Sequence, residues 1–222
     1  MTTVFSHIKA RALALFLACC ICFTALQPSE SFAEPAWPQD VLIEAEGGIL
    51  VDADSGTVLY GKNIHQRYYP ASITKILTAL IVIERCKLDD TITFSYDAVH
   101  NVESGSTSAG YGVGDKITVR EALYALLLRS ANEVANALAE HCAGSREAFA
   151  RLMNEKAASL GCKESHFTNP SGLNDENHYT TAYDYSLIAM AAFKNPTFVE
   201  FDSTTYYELP PNSANAEPFT IY

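Results

Sequence analysis

Residues 73–83 read Ile-Thr-Lys-Ile-Leu-Thr-Ala-Leu-Ile-Val-Ile, and wound as a helix they have no polar face. Ile73, Leu77, Leu80 and Ile81 fill one side, while Ile76, Ala79, Val82 and Ile83 cover most of the rest. A helix apolar all round must be surrounded by other elements, so the remaining chain has to pack around this one. Lys75 is its only charge. A buried ammonium is costly unless paired, and burial favours the neutral, basic amine. Ser72 precedes it by three residues, and residues three apart on a helix are neighbours. A weak hydroxyl nucleophile beside an activated base is the arrangement that covalent catalysis needs. Taken alone, the four-residue pattern is common by chance and favours Ser72 as a helix cap and Lys75 as a snorkelling surface lysine. The apolar surround tips the balance, because it leaves Lys75 little route to water.

The 222 residues allow one sizeable core or two small ones, and 48% apolar with 18% charged residues excludes extended disorder. The first 33 residues read as a secretory signal peptide. Lys9 and Arg11 open it, Ala12 to Leu26 is a fifteen-residue apolar run too short for an ordinary membrane span, and Ser31-Phe32-Ala33 offers cleavage before Glu34. An uncleaved anchor is the weaker reading. The residues before Cys19, Cys20 and Cys22 fit a lipoprotein signal poorly. Removing this segment takes away Lys9, Arg11 and Glu30 and moves the formal net charge from −11 to −12. Such an acidic protein is a poor partner for nucleic acid or anionic lipid. Cys86, Cys142 and Cys162 then remain, with Cys142–Cys162 as the expected bridge if one forms and an odd thiol left over. Neither the cysteines nor His65, His100, His141, His166 and His178 have metal-ligand spacing, so neither metal nor cofactor is expected.

Residues 48–53 and 57–60 are strand-like around the turn chemistry of Asp54-Ser55-Gly56, which predicts a hairpin. Asp52 and Asp54 lack the later glutamate that an EF-hand loop requires. Thr91 to Phe94 reads as a short strand and Ser104 to Gly114 as a Gly/Ser-rich loop with no phosphate-cradle signature. Val119 to Leu128 and a run from about residue 132 to Cys142 read as helices, with Ser130 and Glu133 at capping-box spacing between them. A further helix starts at Gly144-Ser145 and ends at Gly161, and another runs from about Ala182 to Lys194 behind a Thr181/Asp184 cap. Ser165 to Phe167 and Thr204 to Leu209 read as short strands. His178 reads as a structural hydrogen-bonding residue.

Ser72-x-x-Lys75 and Ser130-x-Asn132 are each weak signals, but together and in this order they are strong. With Asp52-Ala53-Asp54-Ser55-Gly56, Asn169-Pro170-Ser171-Gly172-Leu173 and His178 to Asp184, the chain resembles the D-alanyl-D-alanine carboxypeptidases over about residues 42–222. These are low-molecular-mass penicillin-binding serine peptidases of bacterial walls. The resemblance implies an α/β (α+β) fold of the β-lactamase/transpeptidase type, an antiparallel sheet with a helical subdomain. It implies that Ser72 attacks the penultimate D-Ala carbonyl of a peptidoglycan stem pentapeptide and that Lys75 takes its proton. Ser130 relays a proton to the departing D-Ala, Asn132 holds the peptide backbone, and the Ser72 N–H is half of the oxyanion hole. β-Lactams would acylate the same serine, in an exported, extracytoplasmic protein.

One departure stands out. No Lys-Thr-Gly, Lys-Ser-Gly or His-Thr-Gly occurs in the 222 residues, although the family uses such a strand to bind the substrate carboxylate. The chain therefore reads as an N-terminal fragment, with residues 34–222 an incomplete catalytic domain. Part of its sheet and any C-terminal membrane anchor would be absent, apolar faces would be uncovered, and the isolated chain would label poorly with penicillin. A class A-like β-lactamase is the nearest alternative, but the Asn169–Leu173 loop lacks a carboxylate for deacylation. A non-catalytic wall-binding relative would not need to retain both Ser72 and Lys75. Carboxypeptidase and endopeptidase action on the stem are not distinguished by these residues.

Overall fold

The structure is a computed structural model, and it describes residues 42–222. The proposed signal peptide lies outside the described residues. All elements below belong to the unit Ala45–Tyr222.

Strands β1 (Gly48–Val51) and β2 (Val58–Lys62) form the expected hairpin, pairing Gly48 with Lys62 and Leu50 with Tyr60 before a bulge at Val51. The Asp52 carboxylate closes the turn by accepting from the Ser55 N–H and hydroxyl at 2.7 and 2.6 Å. These bonds hold its pKa below the usual carboxylate value. The aspartate of this turn is therefore structural, as its Asp-Ser-Gly chemistry implied. Strand β3 (Arg67–Tyr68) then leads through Pro70 into a 3-10 turn, Ala71–Ile73, and on into helix α1, Thr74–Arg85. The helix starts one residue later than the sequence suggested. Ser72 is not a cap but sits within the 3-10 turn, whose end carries no side-chain cap bond.

Helix α1 is the axis of the fold. Leu77, Ala79, Leu80, Ile81 and Val82 are fully buried, and Ile76 and Ile83 are partly so. It is enclosed by α3 (Val119–Leu128), α4 (Asn132–Ala143), α5 (Arg146–Ser159), α6 (Ala182–Phe193) and α7 (Pro196–Asp202). Leu123, Leu126, Leu138, Phe149, Phe198 and Phe201 complete this core. Short helix α2 (Tyr96–His100) lies against α4. The α2 and α7 helices escaped sequence reading. Both are short, and each is nucleated by a local cap: Ser95 Oγ accepts from the Ala98 N–H, and Asn195 Oδ1 from the Thr197 and Phe198 N–H groups. Asn195-Pro196, expected only to end a helix, also starts the next one.

The other strands pair antiparallel and two by two. They are β4 (Thr91–Thr93) with β5 (Lys116–Thr118), β3 with β6 (Thr180–Thr181), and β7 (Tyr207–Leu209) with β8 (Phe219–Ile221). Residues 165–167 supply only the single bridge from His166 to Tyr179. Between the hairpin and α6 runs an apolar groove of about 430 Å³, lined by Ile49, Val51, Ile73, Ala189, Met190 and Phe193 among others. Ile73 (47% exposed) and Phe193 (51%) lie open to solvent on it.

The expected Cys142–Cys162 bridge is absent. Among the described residues, Cys86, Cys142 and Cys162 are all free thiols. Cys162 donates instead to the Asp184 carbonyl at 3.3 Å, where α6 begins.

Candidate active site

Ser72 stands on the 3-10 turn with its hydroxyl toward Lys75, one turn further on. Lys75 Nζ lies 3.2 Å from Ser72 Oγ and 2.7 Å from the Ser171 carbonyl oxygen. Lys75 is 2% exposed while Ser72 remains open to solvent. Burial pulls the lysine pKa down from 10.5 to about 8, against an opposing pull from the negative charge of Glu133. At pH 7 about a tenth of such a lysine is neutral, against well under a thousandth for an ordinary one. A neutral amine at that distance can accept the serine proton, which an ammonium cannot.

The turn that carries Ser72 is fixed from several sides. Ala71 has φ of +50°, a left-handed conformation that costs free energy in a residue with a Cβ. Against it lies Gly172, at φ +83°, so close that a Cβ there would sit 1.8 Å from the Ala71 carbonyl oxygen. Only glycine fits this contact. The loop bearing Gly172 is shaped by Asn169, whose Oδ1 accepts from the Ser171 and Gly172 N–H groups at 3.2 and 2.7 Å and from the Ser171 hydroxyl at 3.1 Å. Its Nδ2 donates to the Leu173 carbonyl at 3.0 Å. Thr78 Oγ1 donates to the Pro170 carbonyl at 2.7 Å, so two successive carbonyls of this loop are turned onto α1. Tyr185 Oη donates to the Ile73 carbonyl from the far side.

His178 is confined to support, as its sequence context suggested. It is 2% exposed, and its Nδ1 accepts from the Thr168 N–H at 3.1 Å. The proton therefore sits on Nε2, which donates to Thr74 Oγ1 at 2.9 Å. Burial, the largest cause, pushes its pKa down to about 4.

Ser130 and Asn132 occupy the junction between α3 and α4. Ser130 takes a left-handed φ of +57° where α3 ends, and Asn132 opens α4. The expected capping box at Ser130 is absent. The cap position belongs to Ala131 and has no side-chain bond, while the box that does form is Thr118 with Glu121 at the start of α3. Asn132 is 4% exposed, its N–H donates to the Thr107 carbonyl at 3.0 Å, and its side-chain oxygen has no hydrogen-bond partner. Among the described residues no hydrogen bond joins Ser130 or Asn132 to Ser72 or Lys75. The structure thus brings Ser72 and Lys75 into direct contact and sets the other two on the neighbouring junction.

Glu133 is the residue that sequence reasoning misassigned. It does not cap toward Ser130. Its Oε1 accepts from Ser108 Oγ at 2.8 Å and from the Ala109 and Gly110 N–H groups at 2.7 and 3.1 Å. Its Oε2 is buried without a partner, and the residue is 2% exposed. Glu133 therefore ties the Gly/Ser-rich loop to the Ser130 junction and places a negative charge on Lys75. The signal was available: a carboxylate leading into Val134, Ala135, Ala137 and Leu138 is as misplaced in an apolar helix as Lys75 is in α1.

The mixed α/β frame seats a serine hydroxyl against a buried lysine, an arrangement suited to a serine nucleophile with a lysine base. A family model described as D-alanyl-D-alanine carboxypeptidase matches residues 33–217, and the chain belongs to that family. It is 37% identical to the D-alanyl-D-alanine carboxypeptidase DacF of Bacillus subtilis over 166 residues, which cover 72% of this chain and 42% of that protein. It is 32% identical to DacA of Escherichia coli over 207 residues, 88% of this chain and 51% of that protein. The chain thus spans about half the length of these relatives. Among solved structures, a D-alanyl-D-alanine carboxypeptidase of Mycobacterium tuberculosis superposes with a TM-score of 0.73 at 32% identity, covering 88% of this chain and 70% of that one. Penicillin-binding protein 6B of Escherichia coli gives a TM-score of 0.73 at 31% identity, with coverages of 78% and 57%. The fold is that of the penicillin-binding DD-peptidases.

Proposed function

We propose that this chain carries the acylation centre of a serine-type D-Ala-D-Ala carboxypeptidase that trims the terminal D-Ala from peptidoglycan stem pentapeptides. The single observation that carries this reading is Lys75, buried, with its amine 3.2 Å from the Ser72 hydroxyl. Neutral Lys75 takes the Ser72 proton as Oγ attacks the penultimate D-Ala carbonyl. The peptide C–N bond then breaks, and Ser130 passes a proton to the departing amine. Asn132, whose side-chain oxygen is unpartnered, accepts from the substrate backbone. The Ser72 N–H receives the oxyanion. Protonated Lys75 refills Ser130, and its neutral amine then takes a proton from the water that attacks the acyl-enzyme and passes it to Ser72 Oγ as the shortened stem leaves. A β-lactam presents a similar carbonyl and acylates Ser72 in the same way. Because the substrate lies outside the cell, the protein works on the extracytoplasmic side, with residues 1–33 as its export signal.

The test is D-Ala release from a stem pentapeptide by the protein as its native reading frame encodes it. Release is expected from the wild type and is expected to vanish in Ser72→Ala and Lys75→Ala. Undiminished release by Ser72→Ala would refute the assignment.

A further inference from the structure

We propose that Asn212, on the turn between β7 and β8, is a positioning residue for the Ser130–Asn132 junction, which it reaches through the Gly/Ser-rich loop. The junction has no side-chain cap of its own, because Ala131 takes the cap position and Ser130 sits at a left-handed φ. The free N–H at the start of α4 is satisfied by the loop instead. The Thr107 carbonyl accepts from the Asn132 N–H at 3.0 Å, and the Ser108 carbonyl from Arg129 Nε at 3.3 Å. The Ala109 and Gly110 N–H groups donate to Glu133. Residues 106–112 belong to no helix or strand, so no ladder of their own keeps Thr107 in place.

The β7–β8 turn supplies that hold. Asn212 Nδ2 donates to the Ala109 carbonyl at 3.0 Å, so side chains take this buried residue from two sides, Glu133 at its N–H and Asn212 at its carbonyl. The Ser213 N–H and hydroxyl donate to the Asp115 carboxylate at 2.9 and 2.8 Å, and Asp115 also accepts from the Gly112 N–H at 2.7 Å. The two segments touch so closely that a Cβ on Gly110, at φ +84°, would lie 2.8 Å from the Ala214 side chain, and one on Gly112 2.6 Å from Ser213 Oγ. Asn212 is itself held by its turn. Its Oδ1 accepts from the Ala214 and Asn215 N–H groups at 3.0 and 2.8 Å and from Asn215 Nδ2 at 3.0 Å. Turn, loop and junction thus form one hydrogen-bonded series that ends on Asn132, whose side-chain oxygen is unpartnered. A group that orients a substrate acts only while its own support is rigid. The catalytic consequence rests on the reaction proposed above: without the Asn212 bond, Asn132 loses its fixed place and its grip on the stem backbone. Ser72 and Lys75 are untouched, because α1 and the Asn169–Leu173 loop fix them.

The experiment compares the wild type with Asn212→Asp, in the protein as its native reading frame encodes it, by amide hydrogen exchange and by D-Ala release from a stem pentapeptide. Aspartate keeps the Oδ1 acceptor that shapes the turn and loses the donor to Ala109. The Ala109, Gly110 and Asn132 amides are expected to exchange about tenfold faster, with α1 amides unchanged. KM is expected to rise about tenfold while the pH midpoint of acylation stays at its wild-type value. Unchanged exchange at the three amides would overturn the proposal. So would equal acceleration throughout α1, which would mark a general loss of stability, and so would local acceleration with an unaltered KM. If Asn212→Asp does not fold, Ser213→Ala removes only the hydroxyl bond to Asp115 and is read in the same way, with about threefold faster exchange expected at the same amides. A wild type that releases no D-Ala refutes the proposed reaction, whereas the exchange result decides by itself whether Asn212 holds the junction.

Discussion

Replacing Lys75 with methionine should change how stability depends on pH in a way that only a buried, depressed lysine can produce. The wild-type lysine titrates near 8 in the folded protein and near its ordinary 10.5 when unfolded. Below pH 8 both states are charged, and burial of the ammonium costs the folded state about 3 kcal/mol at 1.36 kcal/mol per pH unit. Between the two values the unfolded chain holds a proton that the folded chain has released, so wild-type stability rises with pH. The gain from pH 7 to 9.5 is about 2 kcal/mol for this one group. Methionine fills a similar volume and does not titrate, so Lys75→Met should lack that rise. It also loses the bond to the Ser171 carbonyl, worth about 2 kcal/mol, which makes the absolute difference at one pH a poor guide. The informative quantity is the change in the difference, from urea unfolding of both proteins at pH 7 and 9.5. Other titrating groups are common to both proteins and cancel. The wild type should gain about 2 kcal/mol on the variant over this interval. Parallel curves, within about 0.5 kcal/mol, would mean an ordinary lysine and would refute the reasoning.

Three further outcomes follow from the same geometry. Gly172→Ala places a Cβ against the Ala71 carbonyl at a positive φ, and should destabilise the protein by about 3 kcal/mol or more in urea unfolding; a loss below about 1 kcal/mol would show that the loop yields freely. His178 titrates near 4 when folded and near 6.5 when unfolded, so the unfolded chain protonates first as pH falls and stability drops through that window. His178→Gln should show an acid limb shallower by up to about 3 kcal/mol, and superimposable limbs would contradict the buried, neutral imidazole. Glu133→Gln keeps an acceptor for the residue 108–110 donors but removes the charge that opposes the depression of Lys75. The pH midpoint of acylation should therefore move to lower values, and an unchanged midpoint would remove Glu133 from the electrostatics of the site.

What the sequence made legible was whatever rests on local pattern. The unbroken apolar surface of 73–83 foretold both the central helix and the burial of Lys75, and the Asp-Ser-Gly turn foretold the hairpin. What it hid depends on neighbours distant in the chain. Nothing near Lys75 announces that the Ser171 carbonyl, ninety-six residues away, will accept from its amine. Nothing near Gly172 announces that Ala71 will press upon it. Ser130 and Glu133 have the spacing of a cap, yet Glu133 is claimed by loop N–H groups more than twenty residues upstream, because a buried carboxylate there satisfies three donors at once. The cysteines misled for the same reason: Cys162 is claimed not by Cys142 but by the Asp184 carbonyl, twenty-two residues further on.

Ser72 as nucleophile and buried Lys75 as its base stand or fall with where and when acylation occurs. The most direct measurement is the site of acylation by benzylpenicillin, mapped by peptide mass spectrometry on the protein as its native reading frame encodes it, across a series of pH values. The expected result is a single adduct on Ser72 that forms faster as pH rises through about 8, where Lys75 becomes neutral, and that is lost in Lys75→Met. An adduct on another residue, or acylation of Ser72 at an undiminished rate in Lys75→Met, would contradict it.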